Sequence, residues 1–337
     1  MITATGLTKD FVGRGSKETV HAVRGIDLQV DRGETVAILG PNGAGKTTTM
    51  RMLTTLLAPT AGTATVAGFD VLARPEQVRL RLGYVGQGNG AGHAQRALDE
   101  LYCQGVTFGM TRAAARARAS ELMAGLDLSG KERAKVSDLS GGQRRRLDVA
   151  MGLMHAPELL VLDEPSTGLD PHNRANLWEH IGALRAEREM TLLLTTHYLD
   201  EADSMAERVI IIDHGSIIAD DTPETLKSDH AGDRLTVSTS DQEAAERLAA
   251  LVRAWEGTTL VETSATGAIS GGEGRAVVTA TISRGSSRVT ELVRRADANG
   301  IPLLDIQVRR PTLDDVFLNL TGRSLREADA PIEESAA

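Results

Sequence analysis

The chain has 337 residues, 41% of them hydrophobic and 25% charged, with a formal net charge of -9 and a single cysteine. That length suits one large domain with a smaller appendage, and the composition supports an ordinary packed core. The acidic balance argues against a general nucleic-acid binder, whose affinity comes from basic groups neutralising phosphates, and one cysteine excludes an intramolecular disulfide or a cysteine-rich metal site.

Met1 to Asp10 lacks the apolar core of a signal peptide, and no apolar run approaches the roughly 18 residues that span a bilayer. A cytoplasmic location is therefore expected, with any membrane link made through a partner. In chain order, Thr35 to Leu39 reads as a buried strand running into a glycine-rich loop at Gly40 and then an apolar helical pattern from Thr49 to Leu57, closed by Pro59 and Gly62. Between Gly88 and Lys135 strand signals vanish, and the alanine-rich pattern of Arg112 to Leu126 predicts a helical insertion, with Cys103 inside it as a buried apolar filler. Leu159 to Leu162, Thr191 to Leu194 and Val209 to Ile212 read as further central strands, so a parallel sheet with crossover helices is expected, its strand ends lining one site. After about residue 230 the order is strand (Arg234 to Thr239), helix (Asp241 to Arg253), strand (Thr258 to Glu262), a Gly/Ser turn (Ser270 to Gly274), strand (Ala276 to Ile282), helix (Ser287 to Asn299), strand (Leu303 to Arg309) and helix (Thr312 to Leu320). Two such halves predict a small split βαβ sandwich. The acidic end, Glu327 to Ala337, is expected to be disordered.

Three motifs carry chemistry. Gly40, Pro41, Asn42, Gly43, Ala44, Gly45, Lys46 and Thr47, followed by Thr48, match the P-loop, whose glycines let backbone N-H groups and a helix N-terminus wrap the phosphates of a nucleotide. Lys46 supplies a point charge and Thr47 a hydroxyl for Mg²⁺. Leu159 to Leu162 runs into Asp163 and Glu164, one carboxylate for the Mg²⁺ shell and one to polarise an attacking water. Leu139, Ser140, Gly141, Gly142 and Gln143 form a second anion cradle at the start of a helix, a pattern that also serves as a plain helix N-cap. Arg144 to Arg146 read as a solvated face of that helix, because Leu147, Met151 and Met154 supply its apolar stripe. His93 and His155 lack partners at metal-ligand spacing, and Gly271, Gly272 and Gly274 lack the Lys-Thr that a phosphate loop needs.

With these motifs in this order the sequence resembles the ABC ATPases: Walker A at Gly40 to Thr47, the signature at Leu139 to Gln143, Walker B ending at Asp163 and Glu164. The resemblance implies an α/β P-loop NTPase fold of ABC type, a parallel-sheet core with an antiparallel β part and a helical subdomain at about 88-138. It implies an ATPase domain over 1-228, a C-terminal α+β accessory domain over 229-322 and a disordered tail over 323-337. In this family ATP is clamped between the P-loop of one copy and the signature of another, so a nucleotide-sandwich homodimer is expected, with ATP and Mg²⁺ as cofactors. By resemblance, Gln87 is the Q-loop glutamine touching Mg²⁺ or the water, Asp170 the D-loop residue at the dimer interface, and His197 the switch histidine at the γ-phosphate. Phe11 resembles the aromatic that stacks on adenine, although the link from Val12 to Glu18 is longer than usual.

The stretches Thr196 to Asp203, Ile212 to Gly215 and Leu313 to Leu318 are similar to the daunorubicin-resistance group of drug exporters, nearly end to end. That similarity implies a separate ABC-2-type membrane permease, two ATPases with two permeases, and an antibiotic or other hydrophobic drug as cargo. An importer ATPase, and a soluble ABC protein acting on ribosomes, DNA or regulation, are the alternatives; the Leu313 to Leu318 tail argues against the first, and the single cassette without a coiled-coil insertion against the second.

Overall fold

The computed structural model describes residues 1-12, 19-265, 276-282 and 285-324. The Val12 to Glu18 link, the Ser270 to Gly274 patch and the Glu327 to Ala337 tail therefore fall wholly or mostly outside the described residues. The chain divides into two compact units, Met1-Asp221 and Thr222-Ala337.

In the first unit a six-stranded sheet runs Ser216-Asp221, Arg208-Asp213, Thr35-Leu39, Thr191-Thr196, Leu159-Asp163, Leu82-Val85. All neighbours are parallel except the hairpin between Arg208-Asp213 and Ser216-Asp221. Every residue of Thr35-Leu39, Leu159-Asp163 and Thr191-Thr196 is buried, as strands covered on both faces must be, which is why they read as continuous apolar runs. A second, antiparallel sheet of Thr19-Val30, Ile2-Val12, Ala61-Val66 and Phe69-Asp70 packs its Ile2, Leu7, Ile26 and Val66 into the same core as Val36, Ile38 and Val161.

The helix after the glycine-rich loop begins at Lys46 and ends at Leu53, shorter than the apolar pattern suggests, because Thr55 turns into the left-handed region at φ 64°. Helices Ala97-Thr107, Arg112-Gly125 and Gly141-Leu153 form the helical part. Thr111 caps the second by accepting from the Ala114 N-H at 3.2 Å, and Ala115, Ala119, Leu122 and Met123 form its buried stripe. Cys103 corrects the expectation of burial: Ala97, Leu101 and Gly105 are the inward positions of Ala97-Thr107, and Cys103, half a turn away from them, is exposed.

In the second unit an antiparallel sheet is ordered Thr258-Ala265, Ala276-Ile282, Asp233-Thr239, Leu303-Arg309. Helix Gln242-Arg253, capped by Asp241, buries Ala245, Leu248, Ala249 and Val252 beside Leu292 and Ala296 of helix Gly285-Ala298. The parallel pair Asp233-Thr239 and Thr258-Ala265 is split by Ala276-Ile282, which is a split βαβ arrangement. Helix Pro223-His230 belongs to this unit, where the His230 carbonyl accepts from Asn319 Nδ2 at 2.8 Å, so the division falls at Asp221/Thr222 rather than after residue 228.

Candidate active site

The carboxyl ends of the parallel strands meet at one cleft, as open α/β sheets place their sites. Leu39 leads into the glycine-rich loop, Asp163 into Glu164, and Asp213 into His214. The loop fits between two strands with no room to spare: a Cβ on Gly40 would stand 2.2 Å from the Ile212 carbonyl oxygen, and one on Gly45, at φ 105°, 2.5 Å from that of Ala22. Residues Pro41 to Thr48 wall an open cleft of ≈ 500 Å³, together with Val20, His21, Ala22, Arg24, Gln87, Glu164 and His214. Lys46, nearly fully buried, donates to the Gly40 and Pro41 carbonyls at 2.7 and 3.1 Å.

A chain of oxygen-bearing groups crosses the cleft floor. Gln87 Nε2 donates to Thr47 Oγ1 at 3.1 Å, and Thr47 Oγ1 donates to Asp163 Oδ1 at 3.0 Å. Thr195 Oγ1 donates to the same carboxylate oxygen at 2.7 Å, and Tyr84 Oη reaches Asp163 Oδ2 at 3.3 Å. Burial and the nearby Asp163 charge push the Tyr84 phenol up, so it stays a hydrogen-bond donor. Among the described residues no group of three His, Cys, Asp or Glu side chains could hold a metal. Thr47, Asp163 and Gln87 nevertheless suit Mg²⁺, which takes few protein oxygens and completes its shell with water and phosphate.

Glu164 has φ 48°, a left-handed conformation uncommon for a side-chain-bearing residue. Its N-H donates to Thr195 Oγ1 at 2.9 Å, and Thr167 Oγ1 donates to Glu164 Oε2 at 3.2 Å. Lys46 Nζ stands 3.6 Å from Oε1 and His197 Nδ1 3.4 Å from Oε2, the second contact lacking the alignment of a hydrogen bond. The His197 imidazole, with help from Lys46, holds the Glu164 carboxyl below the usual range against the opposing effect of burial.

The remaining predicted residues lie elsewhere. Ser140 opens helix Gly141-Leu153 with a reciprocal cap: its Oγ accepts from the Gln143 N-H at 3.2 Å, and Gln143 Oε1 accepts from the Ser140 N-H at 3.0 Å. Ser140 and Gly141 are exposed and do not line the cleft. Gly142 lies against Asn173, where a Cβ would meet Asn173 Oδ1 at 2.5 Å, and Asp170 caps that next helix by accepting from the Asn173 N-H at 3.0 Å. Asp170 is thus beside the signature, and its bonds to Asn173 lower its carboxyl pKa. Phe11, 42% exposed, is not among the cleft's lining residues; it pairs in register with Val20, which is. His155 stacks on Phe108 at 3.9 Å between ring centroids and bonds the Leu82 carbonyl at 2.9 Å, so its site is structural.

Arg145 and Arg146 overturn the expectation of a solvated face: they are only 7% and 5% exposed. Arg146 donates to Asn176 Oδ1 at 2.6 Å, and Arg145 reaches backbone carbonyls of the acidic turn and the Gln87 loop. Sequence periodicity misread them because the helix is packed on both sides, so its polar stripe meets protein instead of water. Thr195, Tyr84, His21 and Arg24 also escaped the sequence reading; no local motif marks a threonine inside a strand or a wall contributed by another sheet.

Residues 23-167 match the family described as ABC transporter. The chain is 41% identical to the daunorubicin resistance ATP-binding protein DrrA2 of Streptomyces coeruleorubidus, over 92% of this chain and 93% of that protein. It is 37% identical to the doxorubicin resistance ATP-binding protein DrrA of Mycobacterium tuberculosis, over 95% of this chain and 93% of that protein. Among solved structures, a dimeric bacterial ABC transporter cassette superposes with a TM-score of 0.61 at 25% identity, covering 66% of this chain and 98% of the cassette.

Proposed function

The chain belongs to the ABC transporter family of ATP-binding subunits and is an ATPase, and on that premise we propose that two copies hydrolyse Mg-ATP between them to drive export of a hydrophobic drug. The observation that carries the catalytic assignment is the Glu164 carboxylate, held between Lys46 and His197 at the rim of the glycine-rich cleft. Glu164 accepts the proton of the attacking water as its oxygen bonds to the γ-phosphorus and the bond to the ADP oxygen breaks. Lys46, the loop N-H groups from Gly43 to Thr48 and His197 face the charge on the transferred phosphoryl. Thr47, Asp163 and Gln87 hold Mg²⁺, which supplies charge neutralisation at the phosphates. Val20 and His21, with Phe11 in register beside them, receive the base.

Ser140, Gly141, Gly142 and Gln143 then serve the nucleotide of the second copy, because none of them lines its own cleft and Ser140 and Gly141, at the helix N-terminus, are exposed. Asp170 lies at the same interface. The energy is delivered to a separate ABC-2-type permease on the inner face of the membrane; no helix among the described residues is long and apolar enough to cross a membrane. The names of the relatives, daunorubicin and doxorubicin resistance ATP-binding proteins, favour an antibiotic or other hydrophobic drug as cargo over import or a soluble regulatory role.

The test compares wild type with Glu164→Gln for ATP turnover and for mass in solution with ATP. Turnover should be lost while the variant doubles its mass on binding ATP. Turnover at the wild-type rate would remove Glu164 as the base, and a variant that binds ATP yet stays single would remove the two-copy site. Stimulation of turnover by hydrophobic antibiotics in membranes that carry the permease tests the cargo.

A further inference from the structure

Two side chains of helix Gly141-Leu153 grip backbone on both sides of Gln87. Arg145 and Asp148 stand three positions apart and so share a helix face. Among the described residues the Arg145 guanidinium has no carboxylate at salt-bridge distance; the partners it does have are main-chain carbonyls. Nε donates to Pro165 O at 2.6 Å, Nη1 to Gly86 O at 2.7 Å, and Nη2 to Asp163 O and Glu164 O at 3.4 and 3.3 Å. One planar cation therefore ties the signature helix to the turn that carries Glu164 and to the residue before Gln87. The left-handed backbone of Glu164 is a conformation that persists where its surroundings over-determine it, and these bonds are part of what does so.

Asp148 completes the arrangement from the other end. Its Oδ1 accepts from the Gly90 and Ala91 N-H groups at 2.9 and 3.2 Å, while its carboxylate is 5% exposed. The strap from Gly86 to Ala91 is thus fastened at its first residue by Arg145 and at its last two by Asp148, and Gln87 between them touches Thr47 of the P-loop. Burial pushes the Arg145 guanidinium down and the Asp148 carboxyl up, the expected strain on charges held inside to position backbone.

We propose that Arg145 and Asp148 are positioning residues that staple the Gln87 strap and the Glu164 turn to the signature helix, so that nucleotide engaged by Ser140 in one composite site is transmitted within the chain to Gln87 and Glu164 of the other. This rests on the two-copy reading above. The helix is the rigid lever: Ser140 and Gly141 at its exposed end meet the neighbour's nucleotide, and the staples lie one and two turns further in, on backbone that faces the chain's own nucleotide. Coupling of this kind gives cooperative turnover, because each site prepares the other.

The test uses the full chain with Arg145→Met, Arg145→Lys, Asp148→Ala and Asp148→Asn, reading kcat, KM and the Hill coefficient for ATP, the affinity for a fluorescent ATP analogue, and the thermal midpoint. Arg145→Met and Asp148→Ala should each lower kcat about tenfold or more and bring the Hill coefficient towards one, with analogue affinity within about twofold because the P-loop is untouched. Asp148→Asn keeps an oxygen acceptor and should stay near wild type; Arg145→Lys keeps the charge but cannot span four carbonyls and should recover part of kcat. The double variant Arg145→Met with Asp148→Ala should fall well short of the product of the two losses, as residues acting as one unit do. A wild-type Hill coefficient of one, or staple variants that retain both kcat and cooperativity, would overturn the proposal; so would losses that track the thermal midpoint alone. If Arg145→Met does not fold, Arg145→Lys and the Asp148 pair decide by the same readings. Failure of Glu164→Gln to double its mass with ATP sinks the two-copy reading instead, whereas doubling with unchanged staple variants sinks only the staples.

Discussion

His197 Nδ1 lies 3.4 Å from Glu164 Oε2, the two residues following adjacent parallel strands, Thr191-Thr196 and Leu159-Asp163. The contact sets the imidazole beside the carboxylate that lines the cleft, and the tilted Tyr198 ring, 4.2 Å from the His197 ring, backs the imidazole. His197→Ala should lower kcat about 100-fold, the scale of losing one group that faces transition-state charge. ATP affinity, measured by equilibrium binding, should change by less than about threefold. Unaltered single-turnover hydrolysis would exclude the role.

Glu164 ties stability to pH in a definite direction. Its carboxyl is held below the ordinary value of 4.5, chiefly by His197. A depressed carboxylate stabilises the fold fully above its unfolded pKa and loses that contribution as pH falls through the folded value. The denaturation midpoint of wild type should therefore fall relative to that of Glu164→Gln as pH drops below about 5. A difference that stays the same from about pH 5 down to about pH 3 would show that the folded chain does not hold this carboxyl below its ordinary value.

Thr195 joins the two acidic residues. Its fully buried hydroxyl donates to Asp163 Oδ1 at 2.7 Å and accepts from the Glu164 N-H at 2.9 Å. Valine keeps the shape and leaves both partners one bond short, at about 1 to 3 kcal/mol for a buried group. Urea unfolding of Thr195→Val should register a loss of that size, with a fall in kcat as the Asp163 and Glu164 turn loosens. A midpoint equal to wild type would mean that water replaces the hydroxyl.

Gly45→Ala should cripple nucleotide binding without reaching any phosphate directly. The residue sits at φ 105° and its added methyl would lie 2.5 Å from the Ala22 backbone oxygen, which belongs to the other sheet and cannot step aside as a side chain would. The loop must move, and about a tenfold or greater loss of ATP affinity is expected. Titration with a fluorescent ATP analogue checks it; wild-type affinity would show that the loop has slack at this point.

Much of the site could be read from the chain because its parts are contiguous. The P-loop is eight successive residues, Asp163 and Glu164 are adjacent, and the signature is a pentamer, so identity and spacing alone mark them. The second unit's strands announced themselves by alternation, Asp233-Thr239 burying every other residue. Arg145 is the opposite case: three arginines in a row on a helix read as solvated, since nothing local says that Pro165 and Gly86 carbonyls wait on that side. Cys103 failed for the same reason in reverse, as a residue type usually buried stands on the outward face of its helix.

From the amino-acid order alone came the phosphate loop, the acidic pair, the signature and the layering of strands and helices, since each depends on side-chain identity within a few positions and on the periods of strand and helix. Tertiary structure alone decided which chain segments meet: that Thr195 and Tyr84 close on Asp163, that Gln87 reaches Thr47, and that one buried guanidinium binds helix, strap and turn together. Those contacts join residues far apart in the chain, and their geometry follows from how sheet and helices pack, which no short stretch of sequence contains.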